Sequence, residues 1–212
     1  MKRCGPIVLL LLACLAPDLA PALEFLHVDR FALAAGQTCT GETWVSARTV
    51  DLQGACADDL LVAATTLSAS GTLNRDWWAA ATDTVTFSGR VGGRARLAAL
   101  QMLALDGVFE NSLLAAANTV RLGTGCVVRG DAALAGESVI SQGEVGGNLS
   151  VTAVRATVGG VVRGSVRLIG NDLVVMPGTE IRGDLLYTSS RELFLDGSVR
   201  LGGQIRRVAA PA

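Results

Sequence analysis

The sequence predicts an all-β fold, a single-stranded β-helix of about ten coils of 17–19 residues, and two observations carry that expectation. Glycines or small residues recur at Gly36, Gly54, Gly71, Gly89, Gly107, Cys126, Gly143, Gly160, Gly178 and Gly197, and self-similarity at a fixed short period marks a solenoid. Around each anchor apolar and polar residues alternate, as in Val85, Phe87, Gly89, Val91, Gly93, Ala95, Leu97 and Ala99, which is the two-residue period of a strand. Composition agrees. Half of the 212 residues are hydrophobic but only 4% are aromatic, so the core is built from Val, Leu and Ala, which suit a narrow coil.

Taken in chain order, residues 1–22 read as an export signal. Lys2 and Arg3 precede an apolar run from Ile7 to Ala16, and small residues end at Ala20, Pro21 and Ala22. Ala20 and Ala22 fit a cleavage site, whereas Leu11, Leu12, Ala13 and Cys14 resemble a bacterial lipobox that would make Cys14 the lipidated first residue. The mature chain is therefore expected outside the cytoplasm, periplasmic or extracellular, free or anchored as a lipoprotein. The apolar run is shorter than the ~20 residues that a spanning helix needs, so no transmembrane span is expected.

Residues 23–34 are expected to cap the first coil, with Phe25, Leu26, Val28 and Phe31 folding over it. The β-helix then runs over 35–207. The residue two places after each anchor gives an apolar column: Leu73, Val91, Phe109, Val128, Val145, Val162, Ile181 and Val199. Two places further come Gly93, Asn111, Gly130, Gly147, Gly164 and Gly183, read as tight corners. A second apolar column follows in Ala95, Leu113, Ala132, Leu149, Val166 and Leu185, giving an inward stripe that only neighbouring coils can cover. Apolar residues also fall six apart, as in Val85, Val91, Leu97, Leu103 and Phe109, and three such hexads make one triangular coil. Ten coils at ~4.8 Å give a rod of about 45 Å. Residues 208–212 form a short C-terminal tail.

The third coil is the least regular, with Arg75 at the corner and Trp77 and Trp78 after it. A bulge is expected there, one indole inward and one outward. The other reading is an exposed aromatic for sugar stacking or subunit contact.

Cys39 and Cys56 lie one 17-residue coil apart with their flanks in step, which stacks them near the separation a disulfide prefers, and an oxidising compartment permits the bond. They are expected to be linked. Cys126 occupies a glycine position and reads as a small buried residue.

Charge excludes bulk electrostatic partners: 18 Lys and Arg oppose 19 Asp and Glu, so nothing draws the chain as a whole to nucleic acid. His27 is the sole histidine and precedes the repeats, leaving no multi-histidine zinc site and no histidine base on a repeat face. No cofactor is expected. Asp58, Asp106, Asp131, Asp184 and Asp196 are dispersed over coils at outward or turn positions. Thr82, Thr84 and Thr86 do not recur on neighbouring coils, which argues against an ice-binding surface. One outer column, Arg163, Arg182 and Arg200, is expected to stack at about one strand spacing, relieved by Glu180 or by a polyanion such as a cell-wall polymer.

The phrases TVTFSGRVGGRARLAA, SVISQGEVGGNLSVTA and LVVMPGTEIRGDLLYTSS resemble the bactofilins, a polymer-forming bacterial cytoskeletal family. The likeness covers about Leu67 to Gly203. It implies a right-handed helix, a handedness the spacing alone leaves open, and a non-enzymatic scaffold that polymerises end to end without nucleotide. The export signal and the larger number of coils depart from that family and point to an exported relative. The last coil exposes unpaired strand edges, and Val199, Leu201 and Ile205 are the candidate polymer contacts. The alternative function is a monomeric module that binds a cell-wall polymer or an envelope protein through a flat side of the rod. An unrecognised carbohydrate enzyme is the third reading.

Overall fold

A computed structural model describes residues 24–209. The expected export signal and Cys14 lie outside the described residues. The rest is all-β, and parallel strands stack as a solenoid of ten turns. One sheet holds ten two-residue strands, from Thr38–Cys39 to Arg200–Leu201. The other holds longer strands that wrap the remaining two sides of each coil. Ten-residue strands such as Thr43–Leu52 and Leu149–Val158 turn the corner without a break, whereas Leu113–Ala116 and Thr119–Leu122 are separate.

The inward columns follow from alternation. Leu73, Val91, Phe109, Val128, Val145, Val162 and Ile181 stack in register, and each is buried. Ala95, Leu113, Ala132, Leu149, Val166 and Leu185 do the same on the next side. Each buried Val or Leu contributes about 1.5–3 kcal/mol, against about 0–1 kcal/mol for an exposed ion pair. The core columns therefore hold the stack, and the charged exterior does not.

The first apolar column ends on a different residue from the one expected. Ile181 pairs with Leu201, twenty residues on, where the other coils take 17 to 19. The turn closed by the Val199 N–H on the Asp196 carbonyl at 3.0 Å repeats the Met176–Thr179 turn of the coil before it, and Thr188 still pairs nineteen residues back with Ile169, so the added residue lies between Thr188 and Asp196. Val199 is thereby moved out of the column and only partly covers the core.

Of the segment expected to fold over the first coil, the described part adds one more rung. Glu24–Leu33 is a strand that pairs parallel with Thr43–Leu52, setting Leu26 over Val45 and Phe31 over Val50. At the other end Ile205–Arg207 pairs with Leu185–Thr188, and Val208 and Ala209 of the tail follow without strand structure.

Trp77 points inward and is fully buried, while Trp78 is half-buried on the outside. Trp77 and Phe87 stack with ring centroids 4.9 Å apart, and Phe87 and Phe109 with centroids 5.1 Å apart. The bulge falls later than expected. The register shifts where Ala64 pairs with Ala81 but Thr66 with Thr84, so the extra residue lies at the bend near Thr82 and Asp83.

Candidate functional site

A ladder of side-chain acceptors at one corner accounts for Asp131 and Asp184 among the dispersed aspartates. At six rungs the residue before the second-column position aims an oxygen at the backbone N–H of the next rung, and Arg94 and Ser112 interrupt the series. Asp59 Oδ1 accepts from Asp76 N at 3.0 Å and Asp76 Oδ1 from Arg94 N at 2.8 Å. Asp131 Oδ1 accepts from Asn148 N at 2.7 Å and Asn148 Oδ1 from Ser165 N at 2.9 Å. Ser165 Oγ accepts from Asp184 N at 3.1 Å, and Asp184 Oδ1 from Gln204 N at 2.8 Å. These groups satisfy corner amides that the strand pattern leaves open. Burial raises the Asp76 carboxyl, but hydrogen bonds from the Arg94 backbone and guanidinium outweigh it and hold the group below the usual carboxylate value. The sequence signal was present: Asp, Asn or Ser precedes most second-column residues.

The three expected stacked arginines do not form one column. Arg163 donates to Glu144 at 2.6 Å and Arg182 to Glu180 at 3.1 Å. Arg200 stands opposite Glu180 instead of following Arg182, because the long last coil shifts its register. Arg129 and Arg90 share Glu110 in the same manner, at 2.7 and 2.9 Å. Glu110, Glu144 and Glu180 thus pair with four of the five arginines named on this face.

Cys39 and Cys56 do stand opposite each other across adjacent rungs. Both are free thiols, which corrects the expected disulfide. In-register neighbours on parallel strands project their Cα–Cβ bonds side by side, not toward each other, and a bridge needs the two to converge. A hydrogen bond from the Cys56 thiol outweighs burial and lowers the Cys39 pKa, and the same bond with burial raises that of Cys56. Burial, aided by the charge of Asp106, pushes Cys126 up to about 12. The thiolate is the nucleophile, so alkylation of the native protein near pH 8 should label Cys39 and spare Cys56 and Cys126. Peptide mapping reads the result, and recovery of a linked Cys39–Cys56 peptide would restore the disulfide.

Among the depressions of the exterior, one of about 600 Å³ is a groove along one side of the rod with Ala133 and Ser150 as its low floor between Leu114 and Arg167. Another, of about 240 Å³, lies between Trp44 and Trp78. Among the described residues no three His, Cys, Asp or Glu side chains gather as metal ligands, and no helix is long and apolar enough to cross a membrane. His27 Nδ1 lies 3.3 Å from Ser46 Oγ on the first rung.

Comparison with protein-family models, with curated proteins and with solved structures finds no match.

Proposed function

We propose that this chain is a non-enzymatic structural scaffold of the bacterial cell envelope, an exported relative of the bactofilin type, that self-associates end to end through its coils. The observation that carries this reading is the state of the two ends. Glu24–Leu33 and Ile205–Arg207 each pair on one side only among the described residues, and an unpaired strand edge is a template for another chain. The ends also differ in charge. The first rung carries Glu24 and Asp29 against Arg30, whereas Ile205–Arg207 carries Arg206 and Arg207 with no carboxylate. Head-to-tail docking brings opposite signs together, and it continues the columns with Glu24 over Ile205 and Phe25 over Arg206. The partner is then a second copy of the chain, with a cell-wall polymer or an envelope protein bound along the rod.

Leu201 and Val199 cover the last layer in part, and Ile205 is 42% exposed. Arg207 occupies an inward column above Tyr187, but its guanidinium is tied to the Ser189 and Ser190 carbonyls at 2.7 and 2.9 Å. That tether keeps the charge at the rim and leaves Ile205 as the contact.

Sedimentation of the chain lacking residues 1–22 over a range of concentrations is expected to show large species that grow with concentration. Ile205→Asp sets a carboxylate against the incoming Glu24 and should shift the distribution to monomer while circular dichroism stays β-rich. A wild-type rod that remains monomeric at high concentration refutes the scaffold and favours the monomeric surface-binding module.

A further inference from the structure

The outward column on one side of the N-terminal half is aromatic and apolar. Trp44 stands opposite Leu61, and Leu61 opposite Trp78. The two indoles are thus two rungs, about 9.6 Å, apart along the rod, with Leu61 as the floor between them. Trp44 is 36% exposed and Trp78 is half-buried. The slot they bound is about 240 Å³, and its rim carries Glu42 and Asp59 from the adjacent corner.

The electrostatics of this slot are unbalanced. Glu42 Oε1 accepts from the Trp44 indole N–H at 2.9 Å, which pins the ring beside the carboxylate. Asp59 Oδ1 accepts from the Asp76 N–H at 3.0 Å. The other oxygen of each carboxylate has no protein hydrogen bond, and neither group has an ion pair, among the described residues. Neighbouring carboxylates are compensated: Asp76 by Arg94 at 2.9 Å and Asp58 by Arg75 at 3.6 Å. Trp78 also holds the Arg96 guanidinium 5.9 Å from a ring centroid, so an indole of this slot already engages a cation.

We propose that the slot binds a quaternary ammonium group of the choline class. Two indole faces attract a cation through their quadrupoles, two free carboxylate oxygens add negative potential, and the apolar floor suits an alkylated headgroup over a hydrated metal ion. An anionic ligand would meet two uncompensated carboxylates and is disfavoured. A neutral glycan could stack on the indoles but would gain nothing from the charge of Glu42. This site is independent of the scaffold reading, since it lies on the side of the rod and not at its ends.

The test is a tryptophan-fluorescence titration of the chain lacking residues 1–22 with choline chloride, referenced to sodium chloride at equal ionic strength. Of the three tryptophans, Trp44 and Trp78 line the slot, and Trp77, buried on the inner face, supplies a constant background. A saturable change is expected that weakens about tenfold in Trp44→Leu, which removes one π face. Glu42→Gln keeps an acceptor for the Trp44 indole N–H and removes only the charge; combined with Asp59→Asn it should weaken binding by a similar factor without changing the circular dichroism. Co-flotation with phosphatidylcholine vesicles, competed by free choline, would assign the group to a lipid headgroup, and binding of free choline alone would assign it to a small solute. No saturable response beyond sodium chloride overturns the proposal. So does binding of chitotriose in its place with no loss in Glu42→Gln, which would make the slot a glycan site.

Discussion

Val145→Asp is expected to lower the stability of the rod by about 4 kcal/mol or more, with the neighbouring Glu144→Ala nearly silent. Val145 is 1% exposed and sits between Val128 and Val162, which are equally buried. An aspartate there has no partner in either neighbouring layer. Burying an unpaired carboxylate belongs to the short list of substitutions whose cost exceeds about 4 kcal/mol. Glu144 is one residue earlier and faces outward, its carboxylate against Arg163 at 2.6 Å with both side chains substantially exposed. Exposed pairs of this kind contribute at most about 1 kcal/mol. Urea unfolding followed by circular dichroism compares the two. Because each coil touches only its neighbours, the damaged layer should also open a separate early transition. Equal effects from the two substitutions would mean that the assignment of Val145 to the inward face and Glu144 to the outward face is wrong.

The Val145 column was legible because alternation and an 18-residue period are one-dimensional signals, and a sequence records them without reference to neighbours. The same signals put one of Trp77 and Trp78 inside and the other outside, and set Cys39 opposite Cys56. They failed where an insertion lies inside a coil. Between Thr188 and Asp196 the last coil takes an extra residue, so counting two places from Gly197 selects Val199 and misplaces Arg200 against Arg182. Register fixes which residues are neighbours, and the direction of their bonds decides the chemistry: parallel in-register cysteines are adjacent without being bridged. The acceptor ladder through Asp59, Asp76, Asp131, Asn148, Ser165 and Asp184 was hidden for a different reason. Its members share a lone pair and not a residue type, and a dispersed aspartate reads as a solvated one. The slot at Trp44 was missed because its two indoles lie 34 residues apart in the chain and meet only when Leu61 is stacked between them.

The repeating glycines, uniform in sequence, should separate into three classes on substitution. A Cβ added at Gly71 would stand 1.9 Å from the Gly54 carbonyl oxygen, and one at Gly89 would stand 2.0 Å from that of Gly71. In each case the obstacle is the backbone of the rung below, which no rotamer change can move. The Gly54 carbonyl also accepts from Thr72 N at 3.1 Å, so displacing it breaks a rung of the ladder. Gly71→Ala should therefore cost about 3 kcal/mol or more, at the upper end of overpacking. Gly178 has open space around it but φ of +76°, and alanine there should cost about 1–2 kcal/mol for the left-handed backbone alone. Gly197 has neither a neighbour within 4 Å nor a positive φ, so Gly197→Ala should stay within about 0.5 kcal/mol of the parent. Thermal unfolding of the three variants orders them. If Gly197→Ala proves as damaging as Gly71→Ala, close approach between rungs is not what fixes the period of this chain.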